Sequence, residues 1–224
     1  MVKTTHELDF IAEIGINHEG SLSLAKELIC AAKESGATIA KFQTYKTQKR
    51  AKRHPEIFDI LKKSELNVDQ FSELKRYCDE VGIIFSSSPF CNDSVKELDL
   101  IKTSHLKVAS FLLSDSNLLN EILNTKNCTN LYLSTGTCNL SEIKKSINLI
   151  KNFKNKAYFL HCISQYPVSD LKDCNLANIQ QLKEIWGENI GLSDHSIGSF
   201  IPSLAIVLGA KIIEKHFTTS EKRE

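Results

Sequence analysis

FIAEIGINHEGSLSLAKELICAAKESGATIAKFQTY, residues 10–45, decides the fold. It opens on an apolar run (10–17) and closes on a second one (38–45). Between them Leu24, Leu28 and Ala31 recur at helical spacing. Ser21 stands where its hydroxyl can accept from the unpaired amides of a first helical turn, and Gly36 falls where that helix should stop. Strand, helix, strand is the unit that joins two parallel strands, and strands covered by helices on their outer side read as nearly continuous apolar segments.

The same alternation continues outward from this unit. Further runs rich in Ile, Val, Leu and Phe occupy 83–90, 106–110, 130–135, 157–162, 190–195 and 211–217. A second clear helical pattern, Ile143, Ile147 and Ile150, begins near a candidate cap at Ser141. Eight strand–helix alternations in a row predict an α/β protein, a (β/α)8 TIM barrel over 1–224, rather than an open doubly wound sheet, and no Gly-x-Gly-x-x-Gly is present. The 46–66 connection is too long for a simple turn and carries Ile57, Ile60 and Leu61 at helical spacing, so it is expected to shape the mouth of the barrel.

The balance of 28 basic against 27 acidic residues gives a net charge of +1, which argues against a nucleic-acid or anionic-membrane partner. The densest basic run, Lys46, Lys49, Arg50, Lys52 and Arg53, reads as a solvated loop face, with steering of an anionic substrate as the lesser reading. Seven scattered cysteines without a Cys-x-x-Cys pair read as reduced thiols. With no signal-like or membrane-length apolar segment, a cytoplasmic location is expected.

Chemistry in such a barrel gathers at the C-terminal ends of the strands, where residues two apart share a face. The first strand offers Glu13, Gly15 and Asn17, the second Lys41 and Gln43, the seventh Ser193 and His195, the eighth Glu214 and His216. A charge in an apolar strand is costly alone, so Glu13, Lys41, Lys107 and Glu214 must converge on one another or on a ligand. His195 and His216, ending neighbouring strands, could hold a divalent metal with open positions, or be hydrogen-bonded rim histidines. His161 is expected to be structural. Hydroxyls at Ser86, Ser87, Ser88, Ser110, Ser134, Thr135 and Ser193, together with Lys41 and Lys107, outline an anion pocket.

Taken in order, AEIGINH (12–18), KFQT (41–44), SSPF (87–90), KVAS (107–110), LSTG (133–136), LHC (160–162), GLSDH (191–195) and IEKHFT (213–218) resemble the sialic acid synthase family along nearly the whole chain. That resemblance implies a transferase of carbohydrate biosynthesis. It would condense phosphoenolpyruvate with N-acetylmannosamine or a related amino-sugar aldehyde, giving a nonulosonic acid and phosphate. By the same resemblance Lys41, Ser88, Lys107, Ser110, Ser134 and Ser193 would hold phosphoenolpyruvate, and Gln43 and Tyr166 would face the sugar. His195 and His216 would bind Mn2+ or Mg2+, and Glu13, Lys41 and Lys107 would be the catalytic set, with Glu13 handling a proton or the water. A homodimer is allowed.

The sequence departs from the family pattern at Leu112, where an acid is usual, and at Ser164, where an asparagine is usual. It also lacks a Gly-Pro-Asp-His stretch and an antifreeze-like C-terminal domain, so a barrel cut short after its eighth strand is expected, with an apolar groove exposed between the first and eighth strands. Two other readings stay open: a Schiff-base aldolase using Lys41 or Lys107, and a non-catalytic barrel that binds phosphoenolpyruvate or a sugar.

Overall fold

A computed structural model describes residues 8–51, 55–153 and 156–220. In it eight parallel strands close into one barrel in sequence order: β1 (Asp9–Gly15), β2 (Ile39–Thr44), β3 (Ile84–Pro89), β4 (His105–Val108), β5 (Asn130–Ser134), β6 (Lys156–Cys162), β7 (Ile190–Asp194) and β8 (Ile212–His216). Each predicted strand is present. The first ends at Gly15 rather than 17 because its register to β2 breaks between Glu13 and Gly15, and the fourth likewise ends two residues early, at Val108. Asn17 therefore leaves the strand face. Its Nδ2 donates to the Phe217 carbonyl at 2.9 Å, tying the β1–β8 seam.

Period-two alternation sorts the strand residues into two environments. Outward-facing Ala12, Ile14, Ala40, Phe42, Val108, Leu133 and Ile213 pack against the helices in the main core. Inward-facing Ile11, Ile39, Tyr132, Leu160 and Ile212 form a separate apolar layer that plugs the barrel interior. One step of alternation above that plug come Glu13, Lys41, Ser134, Cys162 and Glu214, so the plug is the floor on which the polar residues stand.

The helices are α1 (Leu22–Glu34), α2 (Thr47–Arg50), α3 (Phe58–Ser64), α4 (Val68–Val81), α5 (Asn92–Leu100), α6 (Ser116–Leu123), α7 (Leu140–Ile150), α8 (Ala177–Trp186) and α9 (Phe200–Val207). Ser21 caps α1, accepting from Leu24 N, and the helix stops just before Gly36 at φ +88°. Leu28 is wholly buried there, and Leu28→Ala would cost about 2–5 kcal/mol. The expected cap of α7 is corrected: Asn139, not Ser141, accepts from Glu142 N, and the Glu142 carboxylate reaches back to Asn139 N. That reciprocal box satisfies two orphan amides at once, which a serine one position inside the helix cannot do.

The long connection after β2 folds into α2 and α3, with Tyr45, Ala51 and Leu61 as a small core of its own. Tyr45 Oη donates to the Leu61 carbonyl at 2.9 Å and fastens α3 to the barrel top. On the outer wall between β1 and β8 lies an apolar groove of about 530 Å³, lined by Phe10, Ala12, Pro202, Ile213 and Phe217, where the sequence placed it.

Candidate active site

Strand register builds the site. The β1–β2 pairing sets Glu13 beside Lys41, and the β1–β8 pairing sets Glu13 beside His216. The β2–β3 pairing sets Gln43 beside Ser88, and the β7–β8 pairing sets Ser193 beside Glu214. The result is a cavity of about 340 Å³ at the C-terminal end of the barrel. Each residue to which the family resemblance gives a role lines it, namely Glu13, Lys41, Gln43, Ser88, Lys107, Ser110, Ser134, Tyr166, Ser193, His195 and His216, whereas Ser86, Ser87 and Thr135, also expected in the anion pocket, do not.

The four buried charges converge on one another and on the cavity together. Lys41 Nζ lies 2.5 Å from Glu13 Oε2 and 3.6 Å from Glu214 Oε2, while Lys107 Nζ lies 2.9 Å from Glu214 Oε1. Ser193 Oγ donates to Glu214 Oε1 at 2.7 Å, and Lys41 Nζ donates to Ser88 Oγ at 3.1 Å. Burial disfavours the charge on Lys41, but Glu13 and Glu214 outweigh it and hold the ammonium above the ordinary lysine value. Burial likewise works against the Glu214 carboxylate, yet Lys107, Lys41 and the Ser193 hydroxyl keep its pKa well below the usual range. A lysine held protonated by two carboxylates is an anion receptor and a poor amine nucleophile, which tells against the Schiff-base reading of Lys41.

Ser134 Oγ is buried with no hydrogen-bond partner among the described residues, although it lines the cavity. A buried hydroxyl without a partner is costly, and the Ser134 hydroxyl is free to bond a group in the cavity. The other hydroxyls divide. Ser110 Oγ accepts from Gly136 N at 3.0 Å at the cavity wall. Ser86 donates to the His105 carbonyl, Ser87 pairs with Thr44 and Thr135 donates to the Leu160 carbonyl, so these three hold backbone and strands together. His161 Nε2 meets the Cys174 carbonyl at 2.7 Å, a structural task as expected.

Gly15 carries φ +59°, and a Cβ there would sit 3.2 Å from both Glu13 Oε1 and Gln43 Nε2. Only glycine adopts this turn at little cost and leaves the Gln43 Nε2–Glu13 Oε1 bond of 2.7 Å undisturbed.

His195 and His216 come together with ring centroids 5.5 Å apart, and the Tyr166 ring lies 4.0 Å from the first and 5.7 Å from the second. His195 Nδ1 meets the Ile163 carbonyl at 2.7 Å, which fixes the ring and leaves Nε2 for a ligand. Two imidazoles on neighbouring strands fit a divalent ion whose remaining positions belong to water or substrate. Among the described residues no group of three or more His, Cys, Asp or Glu is arranged to hold a metal by itself.

Arg50 and Phe111 also line the cavity and were not expected there. Leu112, at the position of the usual acid, is turned into the main core and buried, while neighbouring Phe111 faces the cavity. The reading of the basic run as a solvated face holds for Lys49, exposed and paired with Asp93, whereas Lys46 is half-buried against Glu97 and Arg50 lines the cavity. Lys52 and Arg53 lie outside the described residues.

A model of the NeuB family matches residues 28–224. An uncharacterized protein of Methanocaldococcus jannaschii is 37% identical over 96% of this chain and 63% of its own length. The N,N'-diacetyllegionaminic acid synthase of Legionella pneumophila is 35% identical over 93% of the chain and 63% of its own length. The chain thus spans a little under two thirds of these curated relatives. The crystal structure of an N-acetylneuraminic acid (sialic acid) synthetase from Leptospira borgpetersenii in complex with citrate superposes with a TM-score of 0.90 at 36% identity, covering 95% of this chain and 74% of that one.

Proposed function

This chain belongs to the NeuB family, and on that premise we propose that its barrel condenses phosphoenolpyruvate with an amino-sugar aldehyde to give a sialic acid-type nonulosonic acid and phosphate, in the cytoplasm. The observation that carries the reading is the buried Glu13–Lys41–Glu214–Lys107 network flanked by serine hydroxyls at the floor of one cavity. Two fixed ammonium groups and the unpartnered Ser134 hydroxyl suit a ligand carrying both phosphate and carboxylate, and they are oriented before it arrives.

Lys41 and Lys107 would neutralise the two anionic groups, with Ser88, Ser110, Ser134 and Ser193 fixing their oxygens. Glu13, ion-paired through Oε2 and hydrogen-bonded through Oε1, would take a proton from the water that adds to the enolpyruvate carbon. Gln43 and Tyr166 would orient the sugar. A divalent cation, Mn2+ or Mg2+, held by His195 and His216 would supply Lewis-acid polarisation of the aldehyde oxygen. Carbon–carbon bond formation is then driven by positioning and charge neutralisation, with no covalent lysine adduct needed. A homodimer is compatible with this reading.

The test is phosphate release from phosphoenolpyruvate with N-acetylmannosamine and Mn2+, followed by mass detection of the nine-carbon acid. Release that requires both sugar and metal, and that Lys107→Met reduces by at least a hundredfold, is expected. Absence of any sugar-dependent release would leave only a binding role for the barrel.

A further inference from the structure

The family reading assigns no task to Arg50, yet its guanidinium is built into the cavity wall. It lies 4.0 Å from the Phe90 ring centroid and 4.7 Å from that of Tyr45, between residues that follow β3 and β2. Its Nη1 donates to Gln43 Oε1 at 2.8 Å, and Gln43 Nε2 in turn donates to Glu13 Oε1 at 2.7 Å. Arg50 therefore stands one amide further from the cavity floor than Gln43 does. The nearby Lys46 and Lys49 spend their charge on Glu97 and Asp93 along the rim. Arg50 has no carboxylate within ion-pair distance among the described residues, Glu13 acting on it only at longer range, and its Nη1 hydrogen bond goes to the neutral Gln43 amide.

A half-buried guanidinium keeps its charge and seeks an anion, and its planar fork favours two oxygens of one phosphate or carboxylate. The aromatic clamp holds that fork in place before any ligand binds. We propose that Arg50 determines specificity by binding an anionic substituent, a phosphate or a carboxylate, on the end of the sugar remote from its aldehyde. The assignment rests on the cavity being a sugar site, as proposed above, and selects acidic over neutral amino sugars within it.

Calorimetric titration of the chain with N-acetylmannosamine, its 6-phosphate and its uronic acid, each with phosphoenolpyruvate and Mn2+ present or absent, tests the assignment. At least tenfold tighter binding of one acidic sugar than of the neutral one is expected. That ratio should fall to about one in Arg50→Leu and recover in part in Arg50→Lys. The phosphate and uronate arms distinguish which anion the fork accepts. Equal affinity for acidic and neutral sugars in the unaltered chain, or a preference that survives in Arg50→Leu, overturns the proposal. Phosphate release measured in parallel reports on the reaction independently. Release with the neutral sugar at equal or higher kcat/KM sinks the Arg50 assignment while the synthase reading stands, and a binding preference without release supports Arg50 while removing the reaction.

Discussion

Glu214 shows what a single residue does for both stability and chemistry. It is the shared acceptor for Lys107, Lys41 and Ser193, so Glu214→Gln leaves two buried ammonium groups short of a counter-charge. A loss of about 3–5 kcal/mol at pH 7 is expected by urea titration. Because the folded-state pKa of Glu214 is depressed, its contribution is fully present above the ordinary value of about 4.3 and is lost as pH falls from there. The gap between the unaltered chain and Glu214→Gln should thus narrow at pH 3, and an undiminished gap would contradict the ion-pair account. Gly15→Ala tests the neighbouring turn. The left-handed φ costs an alanine about 1–2 kcal/mol, and the crowded Cβ should lower kcat beyond what the modest fall in Tm explains, because it presses on Glu13 and Gln43.

At the level of elements, the strands were legible because helix-covered parallel strands must be apolar on both faces, and Glu13, Lys41 and Glu214 stood out as the exceptions to that rule. What escaped were features set by geometry between elements. Asn17 was carried past the end of β1 because period-two counting cannot see a register break at Gly15. Arg50 reads first as a solvated residue, with anion steering only the lesser reading, because its direction depends on a one-turn helix and on aromatic rings just past two strands. The α7 cap was readable from Asn139-x-x-Glu142, a pattern that the nearby Ser141 obscured. Asn139→Ala should destabilise the chain by about 1 kcal/mol in thermal melts, while exposed Ser141→Ala stays within about 0.5 kcal/mol. Reversed magnitudes would restore the serine as the cap.

For the molecule as a whole, the site draws side chains from strands all round the barrel, so an unfolded chain retains none of it. Phosphoenolpyruvate should therefore raise global stability by about 2.7 kcal/mol at a hundred times its Kd, and Lys41→Met should abolish the shift in a thermal melt. The buried tetrad that makes this possible is electroneutral, with two carboxylates matched to two ammonium groups. A polyanion that draws the lysines towards itself leaves Glu13 and Glu214 under-compensated, and a cation arriving nearby relieves that imbalance. Each ligand becomes the other's counter-ion, so phosphoenolpyruvate and Mn2+ should tighten each other's binding by one and the same factor, a reciprocity that equilibrium titrations run in both orders would reveal.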